Sequence, residues 1–147
     1  MDARWIVAAI AAASSACSTQ SPPDATLAFC TDTMPRAPTF ANVQLMFGYC
    51  TNCHNTGVPL DLSTGAYGNL VNKPPPPYTI PPVDESCGGV LVKPGDPTGS
   101  YLFQKLSLAT PCAGIQMPNN DLGIPVPLPA CVQLLVHDWI AAGAPNN

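Results

Sequence analysis

Apolar residues recur at helical spacing in four stretches of the chain. Over residues 39–52, Val43, Met46, Phe47 and Cys50 fall at i, i+3, i+4 and i+7, one face of a helix. Thr39, just after Pro38, is the expected N-cap. A short helix is predicted from Ser63 to about Val71, with Tyr67, Leu70 and Val71 on its apolar face. In "GDPTGSYLFQKLSL", Asp96 reads as an N-cap and Pro97 as the first helical residue. Leu102 and Leu106 then form a modest stripe, flanked by Tyr101 and Phe103. The clearest pattern is 130–142, where Val132, Leu135, Val136, Trp139 and Ile140 make one wide stripe, with Gly143 as its stop and Pro145 beyond. Between the helices, "NKPPPPYTIPPVDE" excludes both helix and central strand and reads as an extended surface loop. Residues 107–128 read as a second long loop. The pattern predicts an all-α domain of three to five helices joined by long loops.

Three segments follow from this reading. Residues 1–17 are predicted to be a targeting signal: "MDAR", a short apolar run "WIVAAIAAA", then "SSAC". The run is too short to cross a bilayer, which needs about twenty apolar residues. The small-residue approach to Cys17 resembles a bacterial lipoprotein box, although Ser14 stands where such boxes usually carry leucine. Lipidation of Cys17 is therefore expected, with residues 18–38 as a flexible tether and lead-in and 39–143 as the folded domain. The expected location is periplasmic or cell-surface, with a membrane attachment through that lipid alone.

Composition sharpens the picture in two ways. Five Lys+Arg and a net charge of −4, with no basic cluster, leave nucleic-acid binding without an electrostatic footprint. With nineteen prolines and 10% charged residues, the chain is loop-rich and charge-poor. A loop-rich domain of this size buries little apolar surface, so cross-links or a bound group should hold it together.

Residues 47–54, "FGYCTNCH", carry the candidate chemistry. On a continuous helix Cys50, Cys53 and His54 would sit at i, i+3 and i+4 and project from one side. A thioredoxin-like site wants the pair at the end of a strand, which is not the pattern here. Structural zinc needs four ligands, and no second CxxC or HxxxH supplies the rest. A disulfide within CxxC would be a strained small ring and would leave His54 without a role. Covalent haem attachment uses all three residues: two thiols bond the haem and the adjacent histidine ligates its iron. A ligand on the opposite face would come from Met34, Met46, Met117 or His137. Met46 shares the attachment helix and cannot reach around. Met34 lies in the lead-in, and His137 falls off the stripe of its helix. Met117 lies on a loop and is followed by a stiffening proline.

With "CTNCH", then "GVPLDL", a later "MP" and a closing "WIAAGA", the chain resembles the class I cytochrome c domain over about residues 40–143. "LDLS", "AYGNLV", "VKPGDPTGSYLFQKL" and "WIAAGAP" are most similar to the cytochrome-c-like domains of planctomycete and myxobacterial secreted proteins. The resemblance implies a cytochrome c fold around one covalent haem c, with His54 and Met117 as axial ligands. It also implies that the Pro59 carbonyl accepts a hydrogen bond from the other ring nitrogen of His54. Leu60, Leu62, Tyr67, Leu70, Tyr101, Leu102 and Leu106 are the candidates for lining a haem pocket, each equally readable as ordinary core. The "PPPP" loop and four further cysteines depart from the simpler members of that family.

Those four, Cys30, Cys87, Cys112 and Cys131, are even in number, as two disulfides require, and allow three pairings. Cys87–Cys112 would brace the loops on the methionine side. Cys30–Cys131 would tie the lead-in to the last helix, which in cytochromes c packs on the first. The expected function is single-electron transfer to redox partner proteins, without catalysis. Two alternatives stand beside it: a haem enzyme or sensor with an open sixth site, and a cofactor-free, disulfide-stapled surface lipoprotein.

Overall fold

A computed structural model describes residues 36–76, 87–120 and 122–147. The predicted signal, Cys17, Cys30, Met34 and the second half of the proline-rich loop lie outside these residues. The described residues form four α-helices and no strand: α1 Phe40–Met46, α2 Ala66–Leu70, α3 Tyr101–Ser107 and α4 Ala130–Ala141. Two isolated bridges, Val71 with Val92 and Asn119 with Pro125, pin the connecting loops.

Helix α4 organises the core. Val132, Leu135, Val136, Trp139 and Ile140 are all buried, as the stripe predicts, and α4 packs on both α1 and α3. Trp139 is fully buried and donates from its indole nitrogen to the Pro145 carbonyl at 2.9 Å. Phe40 packs between the Trp139 ring and the Tyr67 ring, at 5.5 and 5.1 Å between centroids. Gly143 ends α4 at φ +93°. The chain then runs on to α1, so the ordered unit extends beyond the expected boundary at 143.

The start of α1 shows how completely a helix end can be satisfied. Thr39 Oγ1 accepts from the Asn42 N–H at 3.3 Å, the N-cap expected from sequence. Asn147 covers two more free donors: its side-chain oxygen accepts from Phe40 N and its carbonyl from Ala41 N.

Three helix boundaries differ from the expectation. The first helix stops at Met46, continues as a 3-10 turn over Phe47–Tyr49, and does not reach residue 52. Gly48 is a weak helix former, and Thr51 turns its hydroxyl back onto the Gly48 carbonyl at 3.2 Å. Helix α2 starts at Ala66 rather than Ser63, because Asp61 ties up the N–H groups of Ser63 and Thr64 in a side-chain turn. Helix α3 starts after Ser100, not at Pro97. Asp96 instead caps a tight turn, accepting from Gly99 N at 2.8 Å and Thr98 Oγ1 at 3.1 Å. A Cβ at Gly99 would lie 2.3 Å from Asp96 Oδ2, so this turn needs glycine there.

These capping carboxylates carry a pH dependence. The hydroxyl and N–H of Ser63 hold Asp61 below the ordinary carboxylate range, and bonds from Lys93 and Gly99 do the same for Asp96. A depressed folded-state pKa gives stability that is present above the unfolded carboxylate range and lost as pH falls through the lower folded value. Thermal unfolding followed from neutral to acid pH should therefore show a falling midpoint in that acid window. Asp61→Asn with Asp96→Asn should flatten the fall.

Candidate functional site

The CTNCH segment forms a single turn directly after the 3-10 segment. His54 N donates to the Cys50 carbonyl at 2.8 Å and Cys53 N donates to the same carbonyl at 3.1 Å. The three side chains therefore share a turn but not an environment. Cys50 is a free thiol, partly buried against the core, and burial pushes its pKa up to about 12. Cys53 is exposed in the turn. His54 is half-buried, and the loop that follows folds back on it, with Leu62 N donating to the His54 carbonyl at 2.9 Å.

The Leu60 backbone lies near enough to the His54 ring to favour its protonated form, one residue beyond the expected Pro59. Burial lowers the His54 pKa, the Leu60 backbone opposes this, and the nearby Lys105 ammonium lowers it further. Pro59 is exposed and, with Val58 and Leu60, lines an open cleft of about 470 Å³ facing Lys73 and Pro74–Pro76. That cleft lies beside the histidine loop, and neither His54 nor Met117 lines it.

Met117 is partly buried against the core. Its N–H donates to the Lys105 carbonyl at 2.7 Å, so it lies alongside α3. Lys105 is thus the common reference point: its charge is felt at His54, and its backbone holds Met117. After the cis Met117–Pro118 bond, Val126 N donates to the Pro118 carbonyl and closes a small hairpin. Leu122 and Ile124 stand exposed on it, 82% and 55%, so an apolar rim adjoins the methionine.

The other ligand candidates separate cleanly. Met46 is fully buried in the core. His137 sits on the outer side of α4, paired with Asp138 at 2.8 Å and edge-on to the Phe103 ring. Leu62, Leu70, Tyr101, Leu102 and Leu106 are buried, Leu60 and Tyr67 partly so, and all seven belong to the one core. Tyr67 also donates to the Ala144 carbonyl at 3.0 Å, which ties α2 to the end of α4.

Cys87 and Cys112 form a disulfide, one of the two expected pairings. Cys53 and Cys131 are disulfide-bonded as well, and the remaining cysteines of the chain, Cys17 and Cys30, lie outside the described residues. Among the described residues no three His, Cys, Asp or Glu side chains converge into a metal-binding group. No described helix is long and apolar enough to cross a membrane. Lys105 was not singled out by the sequence, because one lysine among "YLFQKLS" reads as a solvated residue.

A covalently held haem would take its thioether bonds from Cys50 and Cys53, on one condition. His54 is a half-buried imidazole, the Met117 backbone is held alongside α3, and Cys50 is a free thiol against apolar surroundings. Cys53 fits only as a thiol, so its disulfide and a thioether bond exclude one another. Compared with known proteins, the chain matches no protein-family model, and no curated protein or solved structure is significantly similar to it.

Proposed function

We propose that this chain is an exported monohaem c-type cytochrome, an electron carrier with haem held by Cys50 and Cys53 and ligated by His54 and Met117. The observation that carries the reading is the half-buried His54 that closes a CxxCH turn, its N–H donating to the Cys50 carbonyl. A haem held there would supply one-electron exchange at iron, with a potential that ligation by Met117 would raise. The chain supplies the rest. Helix α3 holds the Met117 loop, and Met117 packs against the core. The apolar hairpin after Met117 supports docking of a redox partner through weakly charged surface. The predicted signal and Cys17 support a lipid-anchored protein outside the cytoplasm.

Intact mass and visible spectra of the secreted protein, made together with haem-maturation machinery, test this. One covalent haem and a c-type reduced spectrum are expected. Unmodified apoprotein mass would rule the proposal out. In Met117→Ala, the methionine–iron charge-transfer band of the oxidised protein should vanish and the potential should fall, with haem still attached. A band that persists would assign the sixth ligand elsewhere.

One observation favours a second reading, a cofactor-free surface lipoprotein stapled by disulfides: the disulfide at Cys53. The same mass measurement separates the two, because a thioether at Cys53 and a disulfide there cannot coexist.

A further inference from the structure

Lys105 is a lysine whose head group turns toward protein. Its Nζ donates to the Ala113 carbonyl at 3.3 Å and to the Ile115 carbonyl, and lies 5.7 Å from the centre of the Tyr101 ring. Among the described residues Lys93 forms an ion pair with Asp96, His137 Nδ1 lies 2.8 Å from Asp138 Oδ1, and neither pairing includes Lys105. A lysine head normally extends into water, so two carbonyls and a ring face are replacing its hydration. The residue between those carbonyls is Gly114, at φ +66°. A Cβ there would lie 2.9 Å from Lys105 Nζ, so glycine allows the backbone to close around the ammonium.

Three further bonds run between this loop and α3. Tyr101 Oη donates to the Ala113 carbonyl at 2.7 Å, the buried Gln116 donates to the Leu106 carbonyl at 3.3 Å, and Met117 N donates to the Lys105 carbonyl at 2.7 Å. Of the side chains involved, only Lys105 grips two carbonyls of the loop, and it does so on both sides of Gly114. Charged donors also make the stronger hydrogen bonds.

We propose that Lys105 is a positioning residue whose ammonium, clamped by the Ala113 and Ile115 carbonyls, latches residues 113–117 to α3 and sets where Met117 is presented. The latch is a property of this chain. Its bearing on iron ligation rests on the function proposed above.

Amide hydrogen exchange by NMR on the full secreted protein tests it, with Lys105→Met and Lys105→Arg as the variants. The Met117 N–H bonds a backbone carbonyl that both variants keep, so only the side-chain latch changes. In Lys105→Met its exchange should quicken by about ten- to a hundredfold, the ratio expected for losing hydrogen bonds to a charged group. Val136 N–H in α4 should stay at its original rate, and Lys105→Arg should restore slow exchange at Met117. Unchanged Met117 exchange overturns the proposal. So does equal acceleration at Met117 and Val136, which would make Lys105 a general stabiliser. In haem-loaded protein the methionine–iron band should weaken in Lys105→Met and recover in Lys105→Arg. A band identical in all three proteins overturns the link from latch to presentation. If no haem attaches, the proposed function fails while the exchange rates still decide the latch.

Discussion

Trp139→Ala is expected to cost about 3–5 kcal/mol of stability, the usual range for emptying a fully buried aromatic site. Three losses combine in that substitution. The largest side chain of the core is removed from a position with no solvent exposure. Phe40 loses one of the two rings that hold it. The Pro145 carbonyl loses its indole donor, which loosens the segment that leads to the α1 cap. Domains of this size are stable by only about 5–15 kcal/mol in all, so the variant should sit near its unfolding threshold. Urea unfolding measures this directly, as a lower midpoint at unchanged slope. A loss under about 1 kcal/mol would mean that Trp139 is not the keystone of the α1–α4 packing. Trp139→Phe should lie between, because it keeps most of the volume and loses the donor.

The Cys87→Ala, Cys112→Ala double variant is the second large effect. The bond closes a loop with a sequence separation of 25. Chain-entropy arguments give about 3 kcal/mol for a loop of that length. The consequence should also be local. Cys112 immediately precedes the segment clamped by Lys105, and Gln104 of α3 donates to the Cys87 carbonyl at 3.3 Å. Removing the bridge should therefore quicken exchange at Met117 more than at Val136, besides lowering the unfolding midpoint. The double variant is cleaner than treatment with a reductant, which would also open the disulfides at Cys53 and Cys131. A midpoint within error of the parent would show that the loops are held by packing and by the Lys105 contacts alone.

What the sequence made legible was the long-period information. The α4 stripe spans three turns, and each of its five residues is buried. The cap at Thr39, the stop at Gly143 and the Cys87–Cys112 pair were also readable, because each depends on a residue type with a strong local preference. What failed was signal shared by two structures. Asp-Pro opens helices and also opens turns, and at Asp96 the close approach of Gly99 selects the turn. The run through Cys50 kept helical spacing, yet Gly48 and the Thr51 hydroxyl ended the helix before the spacing did. At the candidate site the motif was plain and its supports were not. The backbone felt by the His54 ring is that of Leu60 rather than Pro59, a difference of one peptide where the loop folds back to Leu62. Lys105 could not be found from its own position; the useful hint was Gly114, nine residues away in sequence and close to it in space.

The capping of α1 by Asn147 has a kinetic consequence. The first described helix is completed by the last residue, and its aromatic neighbour Trp139 comes from the last helix. The central contacts of the core therefore join segments about a hundred residues apart, and such loops close late and slowly. The α3 loop, with its contacts some ten residues apart, can organise long before that closure. Refolding should thus be ordered from the middle outward, with protection appearing around Met117 before it appears in α1. Until α4 docks, Val43, Met46 and Phe47 remain without their cover, which makes the interval before docking the stretch of the folding reaction most open to aggregation.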